Sequence, residues 1–86
     1  MDIEFDPPKD EANRAKHGLS LADFSGFDAT PLVVVDDRTD YGEPRFRALG
    51  RIGGRGHCLV YTVRDGRVRP ISFRRAHEKE LKPHGL

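Results

Sequence analysis

Asp65-Gly66 constrains the fold more than any other pair in this 86-residue chain. A two-residue connection of this type is the strongest short-range hairpin signal, because a type I′ turn needs φ > 0 at both central positions. The runs on either side read as strands. In His57–Val63, Cys58, Val60 and Thr62 fall on one face, and His57, Leu59, Tyr61 and Val63 on the other. Arg67–Phe73 follows the turn; Pro70 in it has no N–H to give a ladder, which predicts an edge or bulged position. Upstream, GGRG (53–56) breaks a further alternating run, Arg45–Ile52. There Phe46, Ala48, Gly50 and Ile52 share one face, and Arg45, Arg47, Leu49 and Arg51 the other. Pro31–Asp36, with three consecutive valines, reads as one more strand, followed by the polar turn DDRTDYGEP.

Helices flank this run. Asp6 ahead of Pro7 and Pro8 is a helix start, and the helix is expected from Pro7 to His17 with Gly18 as its stop. His17 reads as a cation at that helix's C-terminus. Ser20 and Asp23 form a capping pattern for a second short helix over Leu21–Gly26. Ile3–Phe5 can open the chain as a short strand, and a closing helix is expected from Arg74 or Arg75 to about Leu81. The fold class is therefore α+β, one domain over residues 1–86: a short N-terminal strand and two helices on one face of an antiparallel sheet, then a short C-terminal helix. The other face would be free to carry arginines.

Hydrophobic residues are 36% of the chain and charged ones 34%, so the core is modest. A domain this small buries roughly 60–65% of its unfolded surface, and a partner protein would add stability. Its single cysteine, Cys58, cannot form an internal disulfide, which points to a reducing cytoplasm. The acidic N-terminus is unlike a signal peptide, and no apolar run is long enough to cross a membrane.

The net charge of +1 hides a division. Residues 1–43 carry four Lys/Arg against eleven Asp/Glu, and residues 44–86 carry eleven against three. Most of the second set are arginines, whose planar fork suits phosphate. Either the two halves neutralise each other, or the basic half takes an anionic partner, with a phosphodiester backbone the first candidate. Arg45, Arg47 and Arg51 on one strand, with Arg67 and Arg69 on another, predict a cationic sheet surface. Tyr61 offers a platform for an unstacked base or a core residue with a tethered hydroxyl. Ser72, Arg74, Arg75, His77, Glu78 and Glu80 stand at a strand-to-helix junction, where arginines can hold an anion and His77 or Glu80 can move a proton. The four histidines fit no metal spacing. Asp36, Asp37, Asp40 and Glu43 could hold a hard cation but read better as a turn. No metal and no cofactor are expected.

Three segments, FDPPKDEANRAKHGLS, DDRTDYGEPRFRALGR and VYTVRDGRVRPISFRRAHEKE, together resemble the BrnT toxins of bacterial type II toxin–antitoxin operons. The resemblance covers nearly the whole chain, in order. It implies a RelE-like fold whose sheet cradles messenger RNA, RNA cleavage that stops growth, and neutralisation by a BrnA antitoxin that carries the DNA-binding module, so that DNA is met only through the partner. It also implies that the arginines of the last strand and of ISFRRA hold phosphate or act in catalysis, and that Glu80 is the acidic residue of the closing helix. Family members often carry a tyrosine four residues after that glutamate; His84 stands there. Pro70 replaces what is usually a branched apolar residue. The expected activity is metal-independent endoribonuclease action. Arg74 and Arg75 would hold the phosphate and Arg64, Arg67 and Arg69 would position the strand. Glu80 would be the base, and His77, His84 or an arginine would serve the leaving oxygen. A partner is expected to cover the arginine-rich surface. The alternative is a non-catalytic binding module of the same fold.

Overall fold

Both glycine-bearing breaks are tight turns with positive φ. Asp65 (54°) and Gly66 (73°) form one, Gly53 (59°) and Gly54 (77°) the other. Of GGRG only the first two residues turn; Arg55 and Gly56 already belong to the next strand. The computed structural model describes residues 3–38 and 40–86; Thr39, within the expected polar turn, lies outside the described residues, as do residues 1 and 2. Strands β1 (Leu32–Val35), β2 (Phe46–Ile52), β3 (Arg55–Arg64) and β4 (Arg67–Arg75) form one antiparallel sheet in the order β1-β2-β3-β4. The α+β class holds.

A bulge in β4 decides which arginines share a face. Val60 pairs with Ser72, but the next residue, Tyr61, pairs with Pro70, leaving Ile71 as the extra residue. One extra residue switches the alternation. Arg67 and Arg69 below the bulge therefore share a face with Ser72 and Arg74 above it. Pro70 lies at this bulge, buried, on a terminal strand, where a missing N–H costs least.

Helix α1 (Pro7–His17) has its expected bounds, with Gly18 at φ 72° donating to the Arg14 carbonyl at 2.9 Å. Asp6 holds the cap position but makes no side-chain capping bond. The sequence PPKDEANRAKH has no large apolar side chain, so this helix has nothing to lay on a sheet face. It packs along β4 through buried Asn13. The Asn13 amide donates to the Phe73 carbonyl (2.9 Å) and accepts from the Phe73 N–H (3.0 Å), satisfying an outer edge of the sheet. The expected opening strand contracts to one parallel bridge, Ile3 to Val68.

The second helix contracts too. It is a single 3-10 turn, Leu21–Asp23, closed by the Ser20–Asp23 capping box. Phe24 is already extended (φ −75°, ψ 118°), which carries its ring into the core. There it meets Phe27 and Phe73 edge-to-face, at 5.2 and 5.6 Å between ring centres. Leu21, Phe24, Ala48, Leu59 and Phe73 form the core on this apolar face.

The opposite, arginine-bearing face is not free. β4 runs on to Arg75, and the closing helix α2 starts only at Glu78 and ends at Leu81, continued by a 3-10 turn over Lys82–His84. Leu81 and Ala76 pack with Leu49 and Cys58 as a second small core on that face. Gly56 permits the crossing: a Cβ there would lie 2.7 Å from the Ala76 carbonyl oxygen. Among the described residues, no helix is long and apolar enough to cross a membrane.

Candidate functional site

The part of the arginine face that α2 leaves open is a concavity of ≈ 260 Å³. Cys58 and Val60 of β3 are its floor. Arg47 of β2 stands on one side, Ser72 and Arg74 of β4 on the other. Arg45, just ahead of β2, adds a third arginine. Lys16 and His17 reach it from the end of α1, and Asp36, Arg38 and Tyr41 from the loop after β1. Arg47 also lines an adjoining concavity of ≈ 370 Å³, shared with Lys79, Glu80 and His84.

These cations are held in different ways. Arg38 donates twice to Asp36, at 2.7 and 2.8 Å; this pair holds the Asp36 carboxyl at about 2. Arg74 donates to both oxygens of Glu80, at 3.1 and 2.9 Å. Those bonds, with the His77 N–H at 2.8 Å, hold the Glu80 carboxyl at about 2. Among the described residues, two buried side-chain donors have no hydrogen-bond partner: the Nε groups of Arg45 and Arg47. The Arg45 guanidinium lies over the Tyr41 ring, 4.0 Å from its centre. Its Nε is 3.9 Å from Glu43, too far for a hydrogen bond. A buried donor left unpaired is costly, and a phosphate oxygen would satisfy it with charge assistance.

Two further groups complete the electrostatics. Burial, then the charges of Lys16 and Arg74, push the His17 imidazole below its ordinary pKa. His17 stands in the last turn of α1 as expected, but these surroundings favour the neutral ring, which can accept a proton. Burial raises the Cys58 thiol, so this sulfur is no nucleophile.

The other predicted residues are dispersed. Arg64 is bonded to Glu43 at 2.9 Å, and Arg69 is paired with Glu4 at 3.6 Å; both line a separate hollow at the hairpin end. Arg67 is exposed at that end. Arg51 binds both oxygens of Glu78 (3.0 and 2.9 Å) and the Leu86 carbonyl (3.2 Å), so it fastens α2 and the chain end. Arg75 pairs across from His57 while Arg74 pairs across from Cys58, so the two point to opposite faces. Tyr61 is on the apolar face, its ring 5.5 Å from Phe46. His77 is exposed at the start of α2. Among the described residues, no three His, Cys, Asp or Glu side chains gather around a common point.

A family model described as the ribonuclease toxin BrnT of type II toxin–antitoxin systems matches residues 5–80. The chain belongs to the BrnT family. No curated protein matches it as a relative. Membership of BrnT implies an antitoxin partner and ribonuclease activity at the level of the family. In this BrnT chain, Lys16 and Arg38 join the concavity without having been singled out in the sequence. One signal for Arg38 is present: Asp36-x-Arg38 can close a side-chain pair locally.

Proposed function

We propose that the concavity under Arg45, Arg47 and Arg74 takes the phosphodiester backbone of RNA, and that the chain cuts it by attack of the ribose 2′-hydroxyl without a metal. The observation that carries this reading is the pair of buried, unpartnered Nε donors of Arg45 and Arg47 beside Arg74. Neutral His17 takes the 2′-OH proton. O2′ bonds to phosphorus as the P–O5′ bond breaks, and the departing 5′-oxygen takes a proton, for which His84 in the adjoining concavity is a group of the right type. The products are a 2′,3′-cyclic phosphate and a free 5′-hydroxyl. Arg47 and Arg74 meet the charge that grows on the phosphoryl oxygens. A carboxyl held near 2 is a poor base at neutral pH, so Glu80 acts through Arg74, as a positioning residue. On this reading the protein is a toxin that arrests translation and growth in the cytoplasm until a BrnA-type antitoxin binds it.

The test is cleavage of a defined RNA by the purified chain, with EDTA and with magnesium, and chemical mapping of the new ends. Unchanged cleavage in EDTA with cyclic or 3′-phosphate ends is the expected result. Loss in EDTA restored by magnesium would overturn the metal-free route and return Asp37 and Asp40 as candidates. RNA binding with no cleavage under any condition would leave a non-catalytic binding module.

A further inference from the structure

The two edges of the sheet are finished differently. At β4 the outward N–H and C=O of Phe73 are taken by Asn13, and the Val68 carbonyl accepts from the Glu4 N–H at 2.9 Å. At β1 the bond from the Asp36 N–H to the Arg45 carbonyl (2.7 Å) sets the phase of the ladder. Leu32 and Val34 then face β2, and Val33 and Val35 turn their N–H and C=O groups outward. Among the described residues, nothing bonds to those groups. Both side chains are exposed, at 47% and 61%. An open, uncharged edge of this kind is a template for another strand.

What flanks the edge specifies the strand. On the apolar face, Val33 borders a concavity of ≈ 480 Å³ lined also by Phe24, Phe27, Pro31, Ala48 and Tyr61. On the arginine face, Leu32 and Val34 border the concavity that holds Arg47, Lys79 and His84. The one carboxylate there, Glu80, is occupied by Arg74 and the His77 N–H.

We infer that β1 is the docking edge for the antitoxin, which adds an extended segment whose apolar residues face the Val33 side and whose acidic residues face Arg47 and Lys79. This rests on reading the chain as a toxin with a protein antitoxin. A second copy of the chain fits less well: pairing β1 with β1 about a two-fold axis would set two groups of Arg47 and Lys79 side by side, and like charges across an interface are unfavourable. An acidic segment on this edge competes with phosphate for Arg47. Inhibition then needs no cover over Arg67 or Arg69.

The test is amide hydrogen exchange of the full chain, alone and with the antitoxin expressed from the adjoining gene. Strand addition slows exchange at Val33 and Val35 by at least about tenfold in the complex. Val33→Pro, which removes only an outward N–H, and Val35→Asn each weaken the complex at least about tenfold. Each leaves RNA cleavage by the free chain unchanged, which shows that it folds. A complex that forms with Val33 and Val35 still exchanging freely overturns the docking edge and leaves the toxin reading intact. Slowing that depends on the concentration of the chain alone assigns the edge to a second copy and overturns the proposal. No complex at all overturns the toxin–antitoxin reading together with it.

Discussion

The arginine face has a hairpin end and a groove, and the two regions hold their arginines differently. At the hairpin end Arg64 is bonded to Glu43 and Arg69 is paired with Glu4. In the groove Arg45 and Arg47 keep buried Nε donors with no partner among the described residues, and Arg74 is braced by Glu80 from behind. Both regions look alike as a count of cations. They differ in that the buried Nε donors without a partner, among the described residues, both lie in the groove. Exposed pairs of the hairpin type contribute little and are screened by salt. A buried donor without a partner in a concavity can be satisfied by an anion's oxygen, with charge assistance.

The largest expected effect tests the proton acceptor at the groove's edge. His17→Gln should lower kcat by about a hundredfold, the lower range for removal of a general base. In the native chain the imidazole must be neutral to act, and its pKa is lowered from 6.5. Activity should therefore hold at pH 7 and fall only below pH 6.5, as the ring protonates. The His17→Gln profile should lose this limb.

Next come the groove arginines. Arg47→Ala and Arg74→Ala should each cost about 10- to 100-fold in kcat/KM, the equivalent of one charge-assisted contact of ~1.5–3 kcal/mol. Folding is checked by circular dichroism, since Arg74→Ala leaves Glu80 with only the His77 N–H.

Glu80→Gln should have a smaller effect on cleavage, about three- to tenfold, because it loosens Arg74 without removing it. It has a second readout. The folded pKa is depressed from 4.5 to about 2, so the native chain gains stability above the unfolded value and loses it as pH falls from 4.5 towards 2. Acid denaturation of Glu80→Gln should be flatter across that window, measured by fluorescence or circular dichroism.

The smallest effects belong to the hairpin end. Arg64→Ala and Arg69→Ala should change cleavage by less than about twofold, as expected for surface charges that are already paired. Losses as large as those of Arg47→Ala would erase the distinction between the two regions.

What was legible in the sequence was local. Asp65-Gly66 and Pro7 to Gly18 announce a turn and a helix because the deciding residues are neighbours. Pro70 announced a bulge or an edge for the same reason: a missing N–H is a property of one residue. What escaped depends on distant partners. The bulge at Ile71 moves Arg67 and Arg69 onto the face of Arg74, and simple alternation cannot count an extra residue. Arg51 reads as a free cation until Glu78, 27 residues on, takes it. Asn13 has no pattern of its own; its role exists only because Phe73 presents an unpaired edge. Arg74 and Arg75 are equivalent in sequence, but the sheet sends one into the groove and the other to the opposite face. For the same reason Tyr61, readable either as a stacking platform or as a core residue, packs against the core, away from the arginines.

The most direct test is an NMR titration that observes the arginine Nε–Hε groups themselves. The chain is mixed with an RNA oligonucleotide carrying 2′-O-methyl groups, which cannot be cut by its own 2′-oxygen. The Nε–Hε resonances of Arg45 and Arg47 should shift first and furthest, followed by Arg74, while those of Arg64 and Arg69 barely move. Shifts confined to Arg64, Arg67 and Arg69, with Arg45 and Arg47 unchanged at saturation, would contradict this and place the nucleic acid at the hairpin end.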